Sequence, residues 1–259
     1  MDLGINGRRA LVCASSKGLG YACALALARE GADVIINGRN EDTLLAARSA
    51  IEAATGRSVK IAVADLSDKT ARDMLVANVG DIDILVNNNG GPPPGQFQNW
   101  DEAAWIDAIN ANMVPALMLI RAFVPGMRTR KFGRIINITS AMVKSPKGPM
   151  GLSTAARTGL TAACKALAPE VAADNVTINN MLPERFDTDR QKMIAKMMMQ
   201  MRSITLEEAR SEIANTIAAK RFGDPAEFGD ACAYLCSAQA GFISGQNFQL
   251  DGGSYEGLI

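Results

Sequence analysis

The passage from Ala10 to Glu30 constrains this chain more than any other. A short apolar run, Ala10–Ala14, gives way to Ser15-Ser16-Lys17-Gly18-Leu19-Gly20 and then to apolar residues at helical spacing. This predicts a strand, a turn of small residues and a helix. Small residues let a backbone approach a pyrophosphate, and the free N–H groups opening a helix point at it. A Gly-x-Gly alone also fits a plain tight turn. Its place between the first strand and the first helix points to a dinucleotide site.

The same alternation continues along the chain. Strands are predicted at Ala10–Ala14, Asp33–Asn37, Lys60–Ala64, Ile82–Asn87, Arg134–Thr139, Val176–Leu182 and Asn247–Leu250, and helical patterns at Leu19–Glu30, Thr43–Ala53 and Trp105–Phe123. Strands separated by helices imply a parallel sheet covered on both faces. No linker or repeat interrupts the 259 residues, so one domain is expected. Residues 187–220 contain no strand but carry Met193, Met197, Met198, Met199 and Met201. Two readings stand for these methionines: packing against the body, or an adaptable lid over a pocket.

Composition removes several classes. The chain has no histidine, which excludes mechanisms built on imidazole, including the hydrolase triads. Five scattered cysteines argue against a disulfide framework, and Cys232 and Cys236 alone do not make a metal site. With 27 basic and 27 acidic side chains, nothing favours nucleic acid or an anionic membrane as a partner. No apolar run approaches the roughly 20 residues of a spanning helix, and the N-terminus lacks the layout of a secretory signal. A cytoplasmic protein is expected.

Cofactor choice is read at the end of the second strand. An acid there hydrogen-bonds the ribose 2′-hydroxyl of NAD. Here the stretch is Ile36-Asn37-Gly38-Arg39-Asn40, with a cation and no acid at Asn37. Lys17 in the glycine-rich turn approaches the same ribose. Two cations suit a 2′-phosphate, which favours NADP(H); the alternative is that Arg39 is a solvated charge near Glu41 and Asp42.

With these residues in view, the chain resembles the classical short-chain dehydrogenase/reductase family over its whole length, and within it 3-oxoacyl-carrier-protein reductase-like members. The turn Ala14 to Gly20 is similar to Thr-Gly-x-x-x-Gly-Ile-Gly, and Asn87-Asn88-Asn89-Gly90 to Asn-Asn-Ala-Gly. Asp65-Leu66 falls where the family meets the adenine ring, Asn112 where it keeps an active-site asparagine, and Ser140 where a serine holds the substrate oxygen. Pro183 to Thr188 resembles Pro-Gly-x-x-x-Thr, and Gly245-Gln246 with Asp251-Gly252-Gly253 completes the C-terminal signature. The resemblance implies a single-domain Rossmann-type doubly wound parallel sheet of seven strands with helices on both faces. It also implies cofactor contacts from Ala14, Ser15, Ser16, Lys17, Gly18, Leu19, Gly20, Asn37, Arg39, Asp65, Leu66, Asn88, Asn89, Gly90, Arg157, Pro183, Phe186 and Thr188. Packing of small residues on the helix Ala155–Ala168 against a second copy implies a homotetramer or dimer.

The departures cluster at the chemistry. Where the family has Tyr-x-x-x-Lys, this chain has Ser153-Thr154-Ala155-Ala156-Arg157, and Glu184 replaces the glycine after Pro183. A serine hydroxyl is too weak an acid to replace a phenol, and an arginine releases no proton near neutral pH. Arg157 can donate to the ribose and stabilise an alkoxide, and Ser140 can donate to the same oxygen. Ser140, Asn112, Arg157 and Ser153 are therefore the catalytic candidates. The proton has several sources on this reading: water relayed through Ser153 or the ribose, Lys144 or Lys147 directly, or Glu184 as a desolvated acid. The expected activity is NADP(H)-dependent interconversion of a carbonyl and an alcohol, on an apolar small molecule. The alternative is a catalytically silent NADP(H)-binding sensor or partner protein. If Arg39 reads the 2′-phosphate, Arg39→Ala weakens NADPH roughly ten- to a hundredfold and leaves NADH nearly unchanged. Calorimetry checks this, and equal losses for both cofactors would remove Arg39 from that role.

Overall fold

The computed structural model describes residues 1–258. Its elements run β1 (Arg9–Val12), α1 (Gly18–Arg29), β2 (Asp33–Gly38), α2 (Glu41–Thr55), β3 (Lys60–Val63), α3 (Lys69–Val79), β4 (Ile84–Asn87), α4 (Glu102–Asn112), α5 (Val114–Thr129) and β5 (Gly133–Ile138). They continue with α6 (Gly151–Ala172), β6 (Val176–Pro183), α7 (Asp189–Arg202), α8 (Leu206–Asn215), α9 (Pro225–Leu235) and β7 (Asn247–Leu250). The strands form one sheet of seven in the order β3-β2-β1-β4-β5-β6-β7, with every pairing parallel. All seven predicted strands are present, each within two residues of its expected bounds. The strand order reverses between β1 and β4, which opens a crevice at their carboxyl ends.

Alternation along the strands divides the core. Ala10, Val12, Ile84, Val86 and Ile136 pack with Leu27, Phe228 and Cys232 on one face. Leu11, Leu85 and Ile135 pack with Leu119, Phe123 and Cys164 on the other. A period of two presents successive side chains to opposite faces, so both faces of a sheet covered on both sides must be apolar.

One polar feature runs through this apolar sheet. Asn87, Asn137, Asn180 and Asn247 occupy register-paired positions on β4 to β7. Each amide donates to the next carbonyl oxygen at 2.9 Å. The resulting ladder ties four strands together, close to the carboxyl ends of β4 and β5.

The predicted helix Trp105–Phe123 is two helices. Met113 leaves helical geometry (φ −121°, ψ −57°). Pro115 has no N–H to offer the carbonyl of Ala111, which instead accepts a hydrogen bond from Asn89 Nδ2. The stretch Glu102–Thr129 also corrects the expectation that no apolar run reaches spanning length: its 28 residues have a mean hydropathy of 1.4 over 18 residues. Its apolar side belongs to the core, because Leu119, Ile120, Phe123 and Met127 are buried against the sheet. Helices α7 and α8 form a separate cluster around Ala195, Ala209 and Ile213, with Met198 and Met199 packed against it. Met193, Met197 and Met201 follow one another at one-turn spacing and remain exposed. The packing reading thus holds for Met198 and Met199, while Met193, Met197 and Met201 face solvent on the other side of α7.

Asn137→Ala removes the middle of the ladder and leaves Asn87 Nδ2 and Asn180 Oδ1 buried without partners. An expected loss of about 2–4 kcal/mol follows from two unsatisfied groups. Urea unfolding with an unchanged slope measures it, and a loss below ~0.5 kcal/mol would show that the ladder contributes little.

Candidate active site

The glycine-rich turn lies at the crevice. Ala14 adopts a left-handed conformation (φ 44°), as does Gly18 (φ 62°). A Cβ on Gly20 would lie 2.5 Å from the Ala14 carbonyl and 2.8 Å from Asn88 Nδ2, so only glycine lets α1 seat against the turn. Asn88 Nδ2 itself holds the Ala14 carbonyl at 3.1 Å. Lys17 stands at the N-cap of α1 without a side-chain cap, and no acid occupies the first turn. The opening N–H groups of α1 are thus free to meet an anion, which fits the pyrophosphate of a dinucleotide.

Not every predicted cofactor residue faces outward. Ser15 is fully buried, donating to the Val12 carbonyl at 2.7 Å and accepting from the Asn37 N–H at 3.1 Å. Asn37 is buried too, and its amide donates to the Ala62 and Ala64 carbonyls at 2.9 and 3.2 Å. These two side chains hold the ends of β1, β2 and β3 together. Phe186 packs edge-on against Phe228 at 5.2 Å, so its ring belongs to the core and only its backbone borders the crevice. Leu66 is buried, and Ser16, Leu19 and Pro183 are half-buried.

At the adenine end the cations are exposed. Arg39 lies 3.9 Å from Asp65, and Lys17 lies 3.6 Å from Asp189. Asp65 accepts the Ser67 hydroxyl and N–H at 2.6 and 3.0 Å. Those bonds, with a smaller contribution from Arg39, hold its carboxyl below the usual range. Thr188 comes within 4.0 Å of the Cβ position of Gly18, bringing the loop after β6 over the glycine-rich turn.

The centre is organised by Arg157 on α6. Its Nη1 donates to the Ile138 and Thr139 carbonyls at 2.7 and 3.1 Å, and its Nη2 to the Asn89 carbonyl at 3.1 Å. Its Nε donates to Ser153 Oγ, one turn earlier, at 3.2 Å. No carboxylate reaches it among the described residues. Burial, and the neighbouring charge of Arg190, pull its pKa down to about 10. The guanidinium therefore stays cationic at neutral pH. Ser140 follows Thr139, whose carbonyl Arg157 holds, and its hydroxyl accepts the Met142 N–H at 3.2 Å. Asn112 is buried close by, its Nδ2 3.4 Å from the Ala108 carbonyl. It lines a small internal cavity of about 20 Å³ with Asn89 and Arg157. Asn89 Oδ1 receives the Gly90 N–H at 2.9 Å.

A larger cavity of about 350 Å³ opens between the loop after β5 and the loop after β6. Lys147, Glu184, Arg185 and Asp251 line it together with Ile217 and Tyr255, so charged and apolar groups share its wall. Lys147 and Glu184 pair at 3.1 Å across this mouth. Each of these two candidate proton donors is thereby engaged with the other.

Sequence reasoning missed Arg190, which reaches the centre from the first turn of α7. Its signal was available: it stands two residues beyond Thr188, just past the motif that borders the crevice.

A doubly wound parallel sheet with an uncapped helix at a glycine-rich turn defines a dinucleotide-binding α/β protein. The family model described as Enoyl-(Acyl carrier protein) reductase matches residues 13–255, and the chain belongs to the short-chain dehydrogenase/reductase family. It is 31% identical over 256 residues to the NADPH-dependent reductase BacG of Bacillus subtilis, covering 97% of this chain and 99% of that one. It is 30% identical over 254 residues to the 3-oxoacyl-[acyl-carrier-protein] reductase FabG of Escherichia coli, covering 98% and 99%. The structure of L-sorbose reductase from Gluconobacter frateurii, complexed with NADPH and L-sorbose, superposes over 100% of both chains with a TM-score of 0.95 at 29% identity.

Arg157→Ala leaves three carbonyls and Ser153 without their donor. It is expected to cost about 2–4 kcal/mol in stability and to weaken NADPH binding, whereas Ser153→Ala removes one bond and matters much less. Arg157→Lys restores the charge without the planar fork and recovers only part of the loss. Thermal unfolding and cofactor titration of the three variants check this order. Equal behaviour of Arg157→Ala and the parent protein would remove Arg157 as the organiser of the centre.

Proposed function

We propose that the protein is an NADP(H)-dependent oxidoreductase interconverting a carbonyl and an alcohol on a small molecule, with a serine–arginine pair where the family has tyrosine and lysine. The observation that carries the reading is the buried Arg157 guanidinium, hydrogen-bonded to Ser153 and seated between the ends of β4 and β5 beside Ser140. That arrangement keeps a fixed positive charge where an oxygen gains negative charge during reduction. The similarity to NADPH-dependent reductases supports the cofactor.

When bound, NADPH supplies a hydride to the carbonyl carbon. The Gly18–Gly20 turn and the opening of α1 bind the pyrophosphate, Arg39 and Lys17 face the 2′-phosphate, and Thr188 borders the nicotinamide end. Ser140 donates a hydrogen bond to the substrate oxygen, and Arg157 stabilises the charge that develops there. The proton that completes the alcohol comes from water, relayed by Ser153. Residues 187–220 act as the lid. The exposed Ala155 and Ala162 on α6 leave room for a second copy of this chain, which supports a homotetramer or dimer.

A second reading, a silent NADP(H)-binding sensor, draws on one feature: four N–H groups of Arg157 are already used within the protein. NADPH oxidation with a small diketone separates the two. Sustained turnover supports the enzyme, and tight binding without turnover supports the sensor. Ser153→Tyr with Arg157→Lys restores the family pair and is expected to raise turnover by up to ~10²–10⁴. No gain in a folded, cofactor-binding double variant would place the limitation outside this pair.

A further inference from the structure

Three hydrogen-bond donors converge on one point of the centre. A Cβ built on Gly91 would lie 3.3 Å from Arg190 Nη1, 3.4 Å from Ser153 Oγ and 3.5 Å from Arg157 Nη2. Gly91 places no side chain among these groups. Arg157 uses four of the five N–H groups a guanidinium carries, and the remaining one is on Nη2, the nitrogen nearest Gly91. Arg190 makes no ion pair and no side-chain hydrogen bond among the described residues.

The carboxylates around this point are all engaged elsewhere. Glu184 meets Lys147 at 3.1 Å, Asp189 meets Lys17 at 3.6 Å, and Asp187 meets Arg210 at 2.9 Å. Two guanidinium groups thus share a site with no protein anion between them, and one of them is buried. Like charges brought together in partial burial repel each other unless an anion joins them, and a guanidinium fork matches a carboxylate geometrically.

From this geometry we propose that the substrate carbonyl compound carries a carboxylate, held over Gly91 by Arg190 and Arg157 with Ser153. The proposal rests on the reductase reading above and names the class of substrate: small oxo acids rather than neutral ketones. Arg190 is the residue that sets this preference, reaching in from the lid helix so that the acid group and the lid engage together. The pyrophosphate of the cofactor is the other anion that could meet Arg190, and the test separates the two.

The experiment uses the full chain with cofactor and two matched pairs of compounds: 2-oxobutyrate against 2,3-pentanedione, and acetoacetate against 2,4-pentanedione. Each acid differs from its partner mainly in replacing an acetyl methyl by a charged oxygen. Binding to the NADP⁺ complex is measured by calorimetry, and NADPH oxidation is followed separately. At least one acid is expected to bind tenfold or more tighter than its neutral partner. Arg190→Leu, at an exposed position, is expected to remove most of that preference, and Arg190→Lys to restore part of it. Neutral diketones that bind or react as well as both acids would overturn the proposal while leaving the reductase reading intact. A loss in Arg190→Leu that falls on NADP⁺ affinity, with the acid preference unchanged, would also overturn it and assign Arg190 to the pyrophosphate. Arg190-dependent binding of an acid without any NADPH oxidation supports the anion site and removes the reductase reading instead.

Discussion

A cation buried among main-chain carbonyls fixes the centre of this protein. The ends of parallel strands leave carbonyl groups that the sheet no longer pairs, and Arg157 gathers three of them, from the loop after β4 and the end of β5. Such a charge has a large desolvation cost, and here dipoles rather than a carboxylate offset it. The lowered pKa of about 10 reflects that cost. Because the guanidinium is planar with donors on every side, it binds the two strand ends and Ser153 at once. A lysine at this position would reach fewer of these partners from a single nitrogen.

The asparagine ladder supplies the stiffness that such an anchor requires. Asn137 sits immediately before Ile138, whose carbonyl receives Arg157, and Asn87 lies two residues before Asn89, which supplies another. The amide chain from Asn87 to Asn247 therefore fixes the spacing of the very strands that Arg157 bridges. On the other side of the crevice, Ser15 and Asn37 do the same for β1, β2 and β3. Polar residues that a sequence reading assigns to the cofactor are in part the fasteners of the sheet beneath it.

Charge is sorted by position around this frame. Exposed surface cations pair with acids at the rim, as Lys17 does with Asp189 and Lys147 with Glu184. Arg157 and Arg190 remain unbalanced at the middle. The net charge of zero over the whole chain conceals this separation. A balanced composition describes the surface field, and a site is decided by which partners lie within a few ångströms.

The sequence by itself determined the layer architecture, the seven strands and the place of the crevice, because periodicity and turn chemistry are local. It also placed Ser153 and Arg157 one turn apart on one helix, since that follows from their spacing. It misjudged the helix Trp105–Phe123, where Pro115 and a distant amide, Asn89, divide the helix between them. The inward turn of Ser15 and Asn37, the burial of Phe186 and the amide ladder were decided only in the folded chain. So was the meeting of Arg190 with Arg157, which are 33 residues apart in number and adjacent at Gly91. The reason is physical: a side chain's type is written in the sequence, but its partner is whichever group the sheet and the crossing helices bring within hydrogen-bond reach.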